Sequence, residues 1–312
     1  VKVTKERFER NRLLIYLFVL VFSWTAITLL LDQLMGEVYA LLWVPISEYY
    51  PFSGFTAYLS VGRLWGFLLL GLVGTVILYL IFREIITQPP ETEEAKKTQI
   101  LAEVVFMVFI FFFLSGLGMR YAAIELHAYT SLLPLVYPYT PFTITPPSFT
   151  NNLVYLVYLY DEVIGHKFIY LGIIGFIVAV TILQNQHRYQ RRFTRRDYTL
   201  LGLLGFLFGL GLGVSIIEGQ AGFETLIFSS IALIAMVTLL ATRRIRFTET
   251  INGTVKSNPF FAFSLLFFLG TILAIIGCGI YYGMMPVYPF FIQPSQKALI
   301  DREILRYILS SL

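Results

Sequence analysis

Residues 100–124 read ILAEVVFMVFIFFFLSGLGMRYAAI. Between Glu103 and Arg120 this stretch holds no charged side chain. Its length exceeds the roughly 20 apolar residues that a helix needs to cross the hydrocarbon of a bilayer. A core helix of a soluble domain needs only one apolar stripe, whereas this segment is apolar on every face, as lipid demands. Working outward, six further runs have the same character: Leu13–Leu31, Leu64–Phe82, Leu153–Gln184, Thr199–Ile217, Phe223–Ala241 and Phe260–Tyr282. Of the 312 residues, 57% are hydrophobic and 13% charged, about half the charged fraction of an ordinary soluble domain. Mean hydropathy is +0.74. The sequence therefore predicts an all-α polytopic membrane protein, a bundle of seven transmembrane helices. A soluble enzyme is excluded, and the net charge of +4 marks membrane-surface anchoring, with no nucleic acid expected as partner.

The first run is too long for the apolar region of a cleavable leader, so it is read as a helix. Orientation follows from Lys and Arg in the connections, which are enriched on the cytoplasmic side. Positive charge collects at Lys2, Lys5, Arg7, Arg10 and Arg12, at Arg83, Lys96 and Lys97, at Arg188 to Arg196, and at Arg243 to Lys256. The alternate connections are poor in it: Ala128–Tyr160 carries no charge of either sign. A cytoplasmic N-terminus and an outer C-terminus follow. Lone Cys278 excludes an internal disulfide and a CxxC metal site.

The organisation expected is a membrane domain over 1–285 and a C-terminal segment, 286–312. In the latter, Ile300, Ile304 and Ile308 recur at helical spacing beside Leu305, Leu309 and Leu312. This reads as an amphipathic helix on the outer surface, or one that docks a protein partner. Gly36–Ser60, with Trp43, Tyr49, Tyr50, Pro45 and Pro51, suits an interfacial piece. Residues 128–152, rich in Tyr and Phe and holding Pro134, Pro138, Pro141, Pro146 and Pro147, are expected to form a non-helical lid. Gly205, Gly209 and Gly213 repeat a GxxxG spacing that permits close helix packing.

Charge inside the membrane is costly and marks a site or a lock. Span three ends with Arg120, Glu125 and His127; span four begins with Asp161, Glu162, His166 and Lys167. Counted at about 1.5 Å per residue from their opposite ends, Glu125 and Asp161 fall at one level. Two imidazoles and a carboxylate form a sufficient shell for zinc or iron(II) with an open position. The metal ligands would be His127, Glu162 and His166. Asp161 or Glu125 would act as base or ligand orienter, and Arg120 would stabilise an oxyanion. The same residues admit an ion-pair lock between helices, with Lys167 on Asp161, as in a non-enzymatic accessory subunit of a membrane complex. A through-path for protons is hard to draw, since the centres of spans one, two, five, six and seven carry no charge. His187, beside Arg188, is expected at the surface.

Seven spans with a histidine and carboxylate constellation near one face resemble the seven-transmembrane hydrolases that include alkaline ceramidases and adiponectin receptors. That resemblance implies zinc-activated water acting on an amide in a lipid-like substrate. The pattern departs in span seven, where Cys278, Tyr281 and Tyr282 stand and no histidine occurs. The bilayer is the one partner the composition demands, as a multi-pass protein of the cell membrane.

The charge pattern makes a topological prediction. Cysteines introduced singly at Lys5 and Arg306, in a Cys278→Ser background, will label from opposite sides of the membrane. Labelling of both from one side would remove one span from the count.

Overall fold

The computed structural model describes residues 12–24, 43–45, 58–88, 92–136, 159–190, 192–219, 221–251 and 254–281. Helix α1 (Arg12–Trp24) is followed by a short antiparallel pair, β1 (Trp43–Pro45) and β2 (Tyr58–Ser60), with Trp43 opposite Ser60. Then come α2 (Val61–Ile86) and α3 (Glu93–Val136). A π-helical stretch, Leu159–Gly165, runs into α4 (His166–Gln186). Helices α5 (Arg195–Glu218) and α6 (Gly222–Ala241) precede a hairpin, β3 (Thr248–Ile251) and β4 (Thr254–Ser257), and α7 (Pro259–Tyr281). Five of these helices, α3 to α7, are long and apolar enough to cross a membrane. The protein is a nearly all-helical membrane protein.

Side-chain exposure tells the same story as composition. Phe111, Phe228, Ile231 and Ile234 are all well exposed at the bundle surface, where water would penalise them and lipid would not. Within the chain, 67% of the apolar window of α4 is buried, against 28% for α3 and 17% for α6. Helix α4 is therefore the central post, and α3 and α6 give most of their surface to the surroundings.

Contacts fix the relative directions. Phe82 of α2 stacks on Phe106 of α3 at 4.4 Å, and a Cβ on Gly74 would sit 3.3 Å from Phe113, so the two run antiparallel. Gly116 of α3 faces Gly165, and Gly172 of α4 faces Phe109 and Phe113, which is again antiparallel. Gln184 accepts from the Phe261 amide at 3.1 Å while the Thr181 and Ser264 hydroxyls meet at 2.7 Å, so α4 opposes α7. The Gln184 bond also satisfies one of the orphan amides at the start of α7. Pairs of α5 and α7 residues ascend together: Gly205 with Phe263, Gly209 with Phe267, Gly213 with Thr271. Those two helices are parallel, and α6, entered by a tight turn after α5, returns between their ends. Helices α2, α4 and α6 thus point one way and α3, α5 and α7 the other.

Glycine makes the α5–α7 contact possible. A Cβ on Gly205 would lie 2.1 Å from the Phe263 carbonyl oxygen, and one on Gly209 2.1 Å from that of Phe267. In the reverse sense a Cβ on Gly270 would lie 2.5 Å from the Phe206 carbonyl oxygen. Lipid supplies no hydrophobic drive between helices, so backbone approach and dispersion hold them. The start of α5 is fixed by a capping box: Thr194 Oγ1 accepts from the Asp197 amide, and Asp197 Oδ2 accepts from the Thr194 amide.

One expectation changes. Helix α3 continues through Pro134 to Val136, so 128–136 is helical and not an irregular lid. A proline near a helix end removes one hydrogen bond only, and the denser prolines lie beyond it. Residues 137–152, and the C-terminal segment 286–312, lie outside the described residues. The connection between spans six and seven is a hairpin whose Ser257 bridges Tyr189 in both directions, at 3.0 and 2.9 Å.

The α5–α7 interface yields a paired prediction. Gly209→Leu will lower the melting temperature of the detergent-purified chain markedly, since overpacking costs about 1–3 kcal/mol. Gly211→Ala, whose Cβ meets nothing within 4 Å, will leave it unchanged. Equal melting temperatures for the two would contradict this packing.

Candidate functional site

The polar groups that the sequence singles out gather where α4 begins. His166 is 2% exposed. Its ring rests on Gly219 in the turn after α5, where a Cβ would come within 2.6 Å of its Cγ, so the glycine is required by space alone. On the next turn of α4 the Tyr170 ring stacks on it, with centroids 5.8 Å apart. The Tyr170 hydroxyl donates to the Ser215 carbonyl at 2.5 Å, and that carbonyl also accepts from the Gly219 amide at 3.0 Å. His166 is thus clamped between α4 and the end of α5.

Lys167, one residue on, leaves this pocket and meets α6. Its Nζ lies 2.5 Å from Glu224 Oε1, and the two side chains are 31% and 40% exposed. Glu224 stands in the first turn of α6, where the helix dipole also favours a carboxylate. The sequence reading missed Glu224 as a partner for Lys167. The usable signal was an acid at the same end of a neighbouring span, but without the packing any of three spans could have supplied the counter-charge.

The α3–α4 register decides how the remaining candidates lie. A Cβ on Gly116 would be 2.6 Å from the Gly165 carbonyl oxygen and from the Ile169 amide; one on Gly165 would be 3.3 Å from the Arg120 amide. One on Gly172 would be 2.7 Å from the Phe113 amide. These meetings keep one antiparallel register along the pair. It places His166 level with about Leu117, and Glu162 level with about Tyr121, close to Arg120. Along α3, His127 lies ten residues past Leu117, about 15 Å further along the axis. The backbone therefore brings Asp161 and Glu162 to the level of Arg120 and sets His127 well apart from His166. The side chains of Glu125, His127, Asp161 and Glu162 lie outside the described residues. Among the described residues no group of three His, Cys, Asp or Glu is placed to hold a metal.

The π-helical stretch itself bears on the expected ligand spacing. Asp161 and Glu162 sit inside it, and its hydrogen bonds span five residues where an α-helix spans four. The four-residue α spacing from Glu162 to His166 is not the geometry of this segment.

A second polar group lies at the opposite end of α4. His187 is fully buried, contrary to the surface position expected for it. Its Nδ1 lies 3.1 Å from the carbonyl oxygen of Gln88, just past the end of α2. A carbonyl only accepts, so Nδ1 is assigned the proton. Arg188 pairs with Glu249 of β3 at 2.6 Å, with side chains 12% and 21% exposed, tying α4 to the hairpin. Charged pairs thus join α4 to its neighbours at both ends.

Compared with models of protein families, with curated proteins and with solved structures, the chain matches none.

Proposed function

We infer that the chain is a seven-span integral membrane protein, with its N-terminus cytoplasmic and its C-terminus outside. Its charged residues lock the helices into a rigid scaffold, and it serves as a non-enzymatic structural or accessory subunit. The Lys167–Glu224 pair carries this reading, because it spends the one cation at the start of α4 on a neighbouring helix. Arg188 with Glu249 repeats the device at the other end. Buried His166 fits the same role: ring stacking and contact with Gly219 enclose it. Broad apolar faces on α3 and α6 suit contact with lipid or with the helices of another subunit.

The competing reading is a zinc or iron hydrolase with His127, Glu162 and His166 as ligands. It needs His127 and His166 to share one ion although their backbone positions are offset by about 15 Å along the axis, where bonds to zinc are about 2 Å long. Arg120 beside Asp161 and Glu162 at a common level is an arrangement that a charge lock uses without any metal.

The test combines stability and metal content in the full chain. Lys167→Ala, Glu224→Ala and the double variant, read by thermal unfolding in detergent, will show a coupling energy of up to about 1 kcal/mol, given the pair's partial exposure. Zinc and iron will stay well below one per chain, and His166→Ala will not change them. One metal per chain, lost with either His127→Ala or His166→Ala, would overturn the scaffold reading in favour of the hydrolase.

A further inference from the structure

At the end of the bundle where α5 begins and α6 ends lies an open groove of about 540 Å³. Its rim carries Arg192, Arg195 and Arg246, and its floor is formed by Tyr198, Phe247 and Leu240. All three arginines are exposed, and among the described residues none has an ion-pair partner. Arg188 shows the contrast, since a nearby arginine with a structural task is half-buried on a carboxylate. Three unpaired guanidinium groups around one concavity repel each other unless an anion sits between them.

The groove is built, not merely an accident of long side chains. The Tyr198 hydroxyl donates to the Phe247 carbonyl at 2.5 Å and meets Thr248 Oγ1 at 2.9 Å, so the first turn of α5 is stitched to β3. The Asn258 amide donates to the same carbonyl at 2.8 Å, and the Asn258 side-chain amide donates to the Arg246 carbonyl at 3.1 Å. After α6 the chain turns sharply, with the Arg244 and Ile245 amides both bonded to the Leu239 carbonyl. Arg243 there adopts φ 55°, a left-handed conformation that favours glycine. The fixed turn holds Arg246 at the rim.

Position identifies the occupant. The apolar spans of α5 and α6 meet this end at Arg195 and Ala241, so the groove lies at headgroup depth. Further along the same two helices exposed apolar side chains follow, Leu203 on α5 and Val237 on α6. A ligand with a phosphate between the arginines would lay its tail on this surface. Guanidinium matches phosphate by paired hydrogen bonds, and basic pockets between membrane helices take anionic headgroups. We propose that the groove of Arg192, Arg195 and Arg246 is a specific site for an anionic phospholipid of the leaflet on this side. A soluble phosphate ester shares the headgroup chemistry but has no tail for Leu203 and Val237.

The experiment uses the full chain in neutral detergent, with phosphatidylglycerol, phosphatidylcholine, glycerophosphoglycerol and inorganic phosphate as probes, read by native mass spectrometry and by melting temperature. Phosphatidylglycerol will be retained and will raise the melting temperature; phosphatidylcholine and the two soluble anions will not. Arg195→Gln with Arg246→Gln will weaken phosphatidylglycerol binding about fivefold for each arginine removed, whereas Lys97→Gln with Arg196→Gln, an equal charge change at exposed positions outside the groove, will not. Both double variants replace exposed side chains, so their melting temperatures without lipid report folding directly. Equal losses in the two doubles would mean diffuse surface charge and overturn the site. Binding of glycerophosphoglycerol or phosphate as strong as that of the lipid would overturn the lipid assignment.

Discussion

The backbone contact between α3 and α4 constrains everything around it. Gly116 and Gly165 leave no room for a side chain between the two helices, and Gly172 repeats the approach two turns deeper. Such contacts cannot slide by a turn, because any other register would drive a Cβ or a phenyl ring into a carbonyl. Once they form, the level of every polar residue on the pair is set. His166 meets the end of α5, Lys167 reaches α6, and Arg120 lies near the π-helical stretch that holds Asp161 and Glu162. A second close pair, α5 with α7, does the same for the other half through Gly205, Gly209 and Gly270. Helix α4 joins the halves, with Gln184 on the Phe261 amide and Tyr170 on the Ser215 carbonyl.

Polar groups among the described residues of this bundle make contacts from one element to another. Where two helices pack by glycine, no side chain remains to specify the neighbour beyond. Hydroxyls, amides and ion pairs then supply direction, since an unmet polar group in lipid is costly. The Thr181 and Ser264 hydroxyls meet at 2.7 Å where α4 packs on the start of α7, and the Lys167 and Arg188 pairs tie the two ends of α4 to α6 and to the hairpin. The arginines around the α5–α6 groove stand outside this pattern, because none of them joins two helices.

The bundle was legible in residues such as 100–124, because a lipid solvent leaves a signature on all faces of a helix at once. Alternation of Lys and Arg was equally legible, and the proposed orientation rests on it. Gly205, Gly209 and Gly213 announced a close contact but not its partner, since GxxxG says only that a backbone comes near. The glycines of the α3–α4 pair carry no such regular spacing and passed unread. Counting residues from the opposite ends of spans three and four came within about two residues of the observed register. What it could not supply was lateral arrangement: which acid stands beside Lys167, or that Gln88 meets a buried His187. These depend on helix order around the bundle, which a single sequence does not encode locally.

The register of α3 against α4 is the claim on which the account turns, and nitroxide labels test it directly. Ala122, Tyr160 and Leu171 are exposed positions on the two helices and the π-helical stretch. With cysteines placed pairwise in a Cys278→Ser background, the Ala122–Tyr160 pair lies at one level and Ala122–Leu171 is offset by about 15 Å along the axis. Spin–spin broadening in the membrane-embedded chain is predicted to be clearly stronger for the first pair than for the second. Equal broadening, or stronger broadening for Ala122–Leu171, would contradict the register and with it the separation of His127 from His166.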